Sequence, residues 1–433
     1  MSVLIKDVLV DGKEKDIYIE SNKIAAIREA GSSKGKIREG EAEVVIDGKR
    51  KAAIPGIFNG HTHAAMTLLR GYADDMPLHD WLTTKIWPLE ARLTDEAVYW
   101  GTKLAALEMI KSGTTFFNDM YWYWESSARA VEESGIRAVL SAVFIDGFDE
   151  EKAKEQIIKN KVLYEKSKNL SKRIIFALGP HAVYTVSKES LCWVKEFSER
   201  HDLLVHIHVS ETKEEVEECK KRYGMRPVEF LAEINLLSSR TIACHCVHLS
   251  RKEMELLKQH DVKIVHNPTS NMKLAIGQMP YEELKKTGLY SNIALGTDGC
   301  ASNNNMDMFE ELKIASLVHK AFSGDPTSIP AAEAFALATR NAAKIFRLNS
   351  GIIAEGKLAD IALLDLRKVE LVPNHDLTSN IVYSANGSCV DTVICDGAIL
   401  MTGQKVKGEE EIKEKAREVA YELMSMSGNN KKE

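Results

Sequence analysis

Residues 52–63 read Ala52-Ala53-Ile54-Pro55-Gly56-Ile57-Phe58-Asn59-Gly60-His61-Thr62-His63. An apolar lead-in that closes on two histidines one residue apart fits the end of a β-strand. Side chains at i and i+2 share a strand face, so His61 and His63 can hold one metal ion together. Imidazole is a common ligand for zinc and also suits iron, copper and nickel. Taken alone, an H-x-H pair is a weak sign. Its weight comes from what lies downstream.

His208 ends a second apolar run, Leu203-Leu204-Val205-His206-Ile207-His208-Val209, and Glu211 follows three residues later. His245 ends a third, Thr241-Ile242-Ala243-Cys244-His245, and Asp298 a fourth, Ile293-Ala294-Leu295-Gly296-Thr297-Asp298. Each run carries a ligand or proton carrier at its C-terminal end. A (β/α)8 barrel of the TIM type builds its active site there, because the βα loops surround one cavity. The expected fold class is therefore α/β.

The 433 residues suffice for one large domain and a smaller one. Apolar content of 44% and charged content of 28% are ordinary for a globular protein. A net charge of -6 offers no basic footprint for a nucleic-acid polymer. No apolar stretch has bilayer length, and the first residues lack the pattern of a signal peptide. Seven scattered cysteines point to free thiols in a reducing cytoplasm. Cys244 and Cys246 flank His245 but alternate away from it on a strand, so they read as buried structural thiols.

Short strands at Val3–Ile5, Asp16–Glu20, Lys23–Ile27 and Glu43–Asp47 open the chain, punctuated by Gly12, Asn22 and Gly48. Strand patterns return at Ala359–Leu364 and Val390–Cys395, where Asp396-Gly397 is a hairpin signal. The expected organisation is a small β-sandwich assembled from residues 1–52 and 351–433, with a barrel over 53–350 between its parts. Barrel helices are expected at Asp95–Ser112, Ser126–Ser134, Lys188–His201, Lys213–Tyr223, Arg251–Gln259 and Pro330–Ile345. Gly408–Met424 reads as an amphipathic terminal helix, with a frayed end at Ser427–Glu433.

His61, His63, His208 and Asp298 would give one divalent metal three nitrogens and one oxygen. Such an ion lowers the pKa of a bound water toward neutrality. Glu211, just past the strand end, is the candidate proton shuttle, and His245 the candidate for orienting the attacking oxygen. Asp298 can also relay a proton to the departing group. Competing assignments stand beside these. Glu211 opens an acidic run that suits the first turn of a helix. His206 shares a strand face with His208, and His248 rivals His245.

The chain resembles the amidohydrolase superfamily, in its branch of aminohydrolases acting on adenosine derivatives. That branch includes the archaeal 5′-deoxyadenosine deaminase group and the S-adenosylhomocysteine/5′-methylthioadenosine deaminases. The marks run from Pro55-Gly56-Ile57 and His61-Thr62-His63 through Leu69-Arg70-Gly71, Ile86-Trp87-Pro88-Leu89-Glu90, Ser112-Gly113-Thr114-Thr115 and Gly179-Pro180-His181. They continue with His206-Ile207-His208-Val209-Ser210-Glu211, His245-Cys246-Val247-His248, His266-Asn267-Pro268, Ser270-Asn271 and Gly296-Thr297-Asp298-Gly299. The resemblance covers essentially the whole chain. It implies His61, His63, His208 and Asp298 as ligands of one divalent metal, zinc by default with ferrous iron or manganese as alternatives. It implies Glu211, His245 and Asp298 in catalysis, with Glu211 and Asp298 also facing the substrate. It adds Glu90 and His181 as nucleoside contacts, Glu90 through the ribose hydroxyls. The implied reaction is hydrolytic loss of the adenine 6-amino group as ammonia, with Glu211 protonating N1. The implied assembly is a homo-oligomer, such as a tetramer, with no membrane or nucleic-acid partner.

Relatives that take S-adenosylhomocysteine use arginines after the third barrel strand to hold the amino-acid carboxylate. Here that segment, Ala138–Glu151, has no basic residue and four acidic ones. The expectation is a neutral 5′ group, 5′-deoxyadenosine first, with 5′-methylthioadenosine, adenosine and S-adenosylhomocysteine as alternatives. Guanine or cytosine deamination and chlorohydrolysis are neighbouring chemistries, and a non-catalytic barrel scaffold is the alternative of another class. The cytidine-deaminase type requires a C-x-x-C, which the sequence lacks.

Overall fold

A computed structural model of the chain describes residues 1–31 and 42–428. Five strands come first: β1 Ser2–Val10, β2 Lys13–Glu20, β3 Lys23–Glu29, β4 Val44–Asp47 and β5 Lys51–Pro55. The barrel strands are β6 Ile57–Thr62, β7 Thr114–Tyr121, β8 Arg137–Phe144, β9 Ile174–Pro180, β10 Leu204–Val209, β11 Thr241–His245, β12 Lys263–His266 and β13 Ile293–Leu295. β14 Ile361–Asp365, β15 Val390–Cys395, β16 Ala398–Thr402 and β17 Lys405–Val406 complete the set.

Strands β6 to β13 pair in chain order, each parallel to its neighbour. Helices return the chain between most of these strands, and parallel strands need such crossovers. Every residue of β6, β7 and β8 is buried, as expected for strands covered on both faces. The expected α/β barrel is thus the fold. Asn59 stitches the seam between β6 and β13. Its Oδ1 accepts the Thr297 N–H at 3.0 Å, and its Nδ2 donates to Thr297 Oγ1 at 2.8 Å. The backbone passes very close here. A Cβ at Gly296 would lie 2.6 Å from the His61 nitrogen, so only glycine lets the two strand ends meet.

The barrel floor is apolar: Phe58, Phe116, Val139, Leu204 and Ile242 pack with Phe346. This packing explains why the expected helix Pro330–Ile345 is two helices, Ala331–Leu337 and Arg340–Ile345. Thr339 leaves helical geometry between them, and the second piece carries Ala342, Ala343 and Ile345 onto the floor. The opposite end stays available for polar residues.

Strands from both chain ends share one mixed sheet, ordered β17-β16-β15-β14-β5-β1-β2-β3, with β4 beside β1. The antiparallel β14–β5 pairing joins the two ends, Leu363 opposite Ala53. Asp396 and Gly397 both have positive φ, 52° and 77°, as a two-residue type I′ hairpin needs. Arg137, buried at the start of β8, pairs with Asp360 at 3.3 Å and Asp396 at 2.8 Å, tying this sheet to the barrel. The terminal helix runs Glu409–Gly428, so Ser427 and Gly428 are helical, and 429–433 lie outside the described residues. Among the described residues, no helix is long and apolar enough to cross a membrane.

Candidate active site

β6 ends at Thr62, and Asp119 of β7 fixes the turn that follows. Asp119 Oδ1 accepts from Thr62 Oγ1 at 2.8 Å and from the Ala64 N–H at 2.7 Å. That turn aims His63 inward. Its Nδ1 lies 2.7 Å from the Met120 carbonyl and must donate, which leaves Nε2 a bare acceptor. His208 is set the same way: Nδ1 donates to the His181 carbonyl at 2.8 Å. His61 Nδ1 stands 2.7 Å from His206 Nε2, and His206 Nδ1 stands 3.0 Å from Ser141 Oγ. With each Nδ1 donating along this chain, His61 Nε2 is also an acceptor, and it is buried without a hydrogen-bond partner.

Asp298 follows the short β13 by three residues, in left-handed backbone at φ 66°. Its Oδ1 lies 3.3 Å from both His61 Nε2 and His63 Nε2. Its Oδ2 accepts from Ser270 Oγ at 2.6 Å and Ser302 Oγ at 2.8 Å. Burial lowers His61 to about 4 and pushes His208 well below the ordinary histidine value. Both rings are therefore neutral at pH 7. Ligand atoms of His61, His63 and Asp298 lie within 4.8 Å of one another, as do those of His61, His208 and His245. Several buried acceptors converge here, and the lone pair of His61 Nε2 meets no hydrogen-bond donor. Such a group needs a cation at its centre, so the residues present fit a divalent metal.

The strand-face rivals separate by depth. His206 sits behind His61 and orients it, while its ring centroid is 6.4 Å from that of His208. His248 turns out of the cluster and bonds the Ile276 carbonyl at 2.8 Å. Cys244, paired in register with His208, belongs to the interior core, and Cys246 to the surrounding one. Partners that hold a ligand ring are expected to matter nearly as much as the ligand. His206→Ala should lower metal affinity about 10- to 100-fold, read as metal retained after graded chelator dialysis; full retention would remove His206 from that task.

Glu211 is not the first-turn helical residue that its acidic run suggests. The helix is Lys213–Tyr223, capped by Thr212, whose Oγ1 accepts the Glu215 N–H. Glu215 reaches back to the Ser210 and Glu211 N–H groups at 2.8 and 2.7 Å. This cradle, with Ser210 at φ 52°, projects the Glu211 side chain into the cavity instead. Burial raises its carboxyl above the ordinary glutamate value. Its Oε1 lies 3.9 Å from His245 Nδ1. His245 has φ 68° and donates through Nδ1 to Asn271 Oδ1 at 3.0 Å. Burial would lower this imidazole, but the Glu211 and Asp298 carboxylates outweigh it and raise it. It thus differs electrostatically from His61 and His208, a donor beside acceptors.

His63, His208, Glu211, His245 and Asp298 line one cleft of about 870 Å³. Glu90 ends the short helix Trp87–Glu90 and enters the cleft beside Tyr121 and Trp122; burial raises its carboxyl. His181 follows β9 and lies 2.9 Å through Nδ1 from Thr185 Oγ1. Burial lowers His181 to about 3, so it too is neutral. Trp81, Trp87, Tyr121, Tyr184 and Phe148 supply flat apolar walls. Ser141, Ser302 and Glu215 escape a reading of the sequence, and Ser270-Asn271 is a mark of the resemblance with no role attached. Only the Thr212-x-x-Glu215 capping signal was there to find one of them.

The model of the amidohydrolase family matches residues 52–400. The chain belongs to this family of metal-dependent hydrolases. It is 48% identical over 428 residues to a Methanocaldococcus jannaschii protein named 5′-deoxyadenosine deaminase, covering 98% of this chain and 99% of that one. It is 50% identical over 415 residues to 5-methylthioadenosine/S-adenosylhomocysteine deaminase 1 of Archaeoglobus fulgidus, covering 95% of each. An adenosine deaminase from Xanthomonas campestris, solved with zinc bound, superposes with a TM-score of 0.91 at 31% identity over 98% of both chains.

Proposed function

We propose that this cleft hydrolyses the C6–N bond of 5′-substituted adenosines, 5′-deoxyadenosine foremost, releasing ammonia and the inosine analogue. The observation that carries the reading is the pairing of a buried Glu211, whose carboxyl burial raises above the ordinary glutamate value, with His245 above a cluster of metal-ligating acceptors. The names of the relatives support it. His61, His63, His208 and Asp298 would hold the ion, which when bound makes a water acidic enough to serve as nucleophile near neutral pH. Glu211 delivers its proton to purine N1, so that negative charge does not build on the ring as oxygen adds at C6. His245 donates a hydrogen bond to the attacking oxygen. Asp298, anchored through Oδ2 by two hydroxyls, is also the carrier that takes a proton and passes it to the departing amine. His181 contacts the nucleoside, and the aromatic walls exclude water around it.

Zinc is the proposed resident ion, since nitrogen and oxygen donors with an open position suit it; the set also admits ferrous iron or manganese. The proposal extends to a cytoplasmic setting, which seven unpaired cysteines support, and to a homo-oligomer. The test is ammonia release by metal-replete protein, comparing kcat/KM for 5′-deoxyadenosine, 5′-methylthioadenosine, adenosine and S-adenosylhomocysteine. No ammonia from any of the four would sink the reading. Glu90 is proposed to bind the ribose hydroxyls. Glu90→Gln should raise KM for 5′-deoxyadenosine about tenfold, since it loses a charged hydrogen bond; an unchanged KM would place Glu90 off the ribose.

A further inference from the structure

Ile412, Ala416, Val419 and Leu423 are buried and recur at the three- and four-residue spacing of one helix stripe, so the terminal helix Glu409–Gly428 lays a single apolar face on the barrel. Its start is tied low on the barrel wall. Glu409 pairs with Lys111 at 2.9 Å, where helix Asp95–Lys111 ends shortly before β7 begins. From there the terminal helix runs beside helix Asp95–Lys111, and it rises about 20 Å by Leu423. Ala416, Val419 and Leu423 then join Ala97 and Val98, at the opposite end of that helix, in one apolar cluster with Trp81, Ile86 and Leu89. A helix that follows a barrel strand begins at the face where the site lies, so the terminal helix reaches from the floor end to the rim of the cleft.

Leu89 precedes Glu90, and the two side chains part. Glu90 enters the cleft, whereas Leu89 is buried in the cluster. The stretch that carries them is weak by itself. It consists of a four-residue helix, Leu78–Trp81, a π turn, Leu82–Ile86, and a second four-residue helix, Trp87–Glu90. Helices this short are not stable alone. The side-chain hydrogen bonds of Trp81, Thr83 and Thr84 run to the carbonyls of Ala73, His79 and Asp80, all close in the chain. They shape the stretch without fastening it to the barrel. Apolar packing joins it to the rest of the molecule, and the terminal helix supplies part of that packing directly against helix Trp87–Glu90.

We propose that Val419 and Leu423 are positioning residues for the nucleoside: they back the cluster in which Leu89 is seated, and so hold the Glu90 carboxylate at the ribose hydroxyls. The inference rests on the deaminase reading and on the ribose assignment of Glu90. A hydrogen bond to a hydroxyl tolerates little displacement, and a shift of about 1 Å caused far from the chemistry is costly at a site. Truncating Val419 and Leu423 removes methyl groups from a closed cluster, and the surroundings relax partway into the space. The least supported member is the short helix that ends in Glu90. The metal-side residues are held by hydrogen bonds outside the cluster.

The experiment compares the metal-replete protein on 5′-deoxyadenosine and on 2′,3′,5′-trideoxyadenosine, which offers no hydroxyl to Glu90. Wild type should favour the first. In Val419→Ala/Leu423→Ala that advantage should fall about fivefold, through KM for 5′-deoxyadenosine, with metal content and kcat nearly unchanged. The fall is smaller than for Glu90→Gln, because the hydrogen bond is weakened and not deleted. Ile5→Ala, in the buried core of the terminal sheet, should lower Tm without moving the ratio. If the double variant does not fold, Leu423→Ala alone is read in the same way. An unmoved ratio in a folded variant with lowered Tm would overturn the positioning role and leave the deaminase reading intact. So would an equal fall in Ile5→Ala, or an equal loss on both nucleosides. A wild type without preference between the two would remove Glu90 from the ribose, and the positioning role with it. Ammonia from neither nucleoside overturns the deaminase reading itself.

Discussion

Glu211→Gln is expected to lower kcat on 5′-deoxyadenosine by about 10³-fold, within the range for loss of a positioned acid, while the chain keeps its metal. The amide nearly matches the carboxyl in shape and still presents an N–H toward N1, but it has no proton to transfer. The backbone bonds from Ser210 and Glu211 run to the Glu215 carboxylate, so the substitution leaves their atoms untouched. The cradle should therefore hold the new side chain where the old one stood. Two measurements decide the matter together: metal per chain, and single-turnover ammonia release. A fall of less than about tenfold would take Glu211 off the proton path. A parallel loss of metal would make it a ligand instead.

Much of the site was legible because strand alternation and barrel geometry act together. His61 and His208 fall at strand ends, and the i, i+2 rule places His63 and His206 on their faces. The same rule could not rank His206 against His208, because depth along a barrel strand depends on neighbours. Here His61 and Ser141 hold His206 one layer down. Positive φ at Ser210, His245 and Asp298 was equally hidden. Strand periodicity assumes extended backbone, and these residues turn their side chains inward by leaving it, as strained positions at functional sites do. The helix expected at Lys213–Tyr223 has those bounds, and because Thr212 takes the cap, Glu211 stays outside the first turn that its acidic run also allowed. Glu90 and His181 carry no local signal. Each is an ordinary loop or helix-end residue until distant segments close the cleft around it, and only the family resemblance singled them out.

Asp298→Asn is the second large expected effect, and it should differ in kind from Glu211→Gln. Asparagine tolerates the left-handed backbone at this position, so the chain should follow the same path past His61. What disappears is the negative charge between two imidazole nitrogens at 3.3 Å. Metal affinity should fall on the order of 10²-fold, the scale expected when a buried charge loses its partner. Turnover at ambient metal should fall to background. Titrating zinc back into the variant then separates the two roles proposed for this residue. If saturating zinc restores turnover to within about tenfold of wild type, Asp298 acts as a ligand, and the amine receives its proton by another route. If the refilled variant stays inactive, the carboxylate also carries the proton. Metal retained at wild-type strength would refute the ligand assignment outright, and would shift it toward the alternative set of His61, His208 and His245.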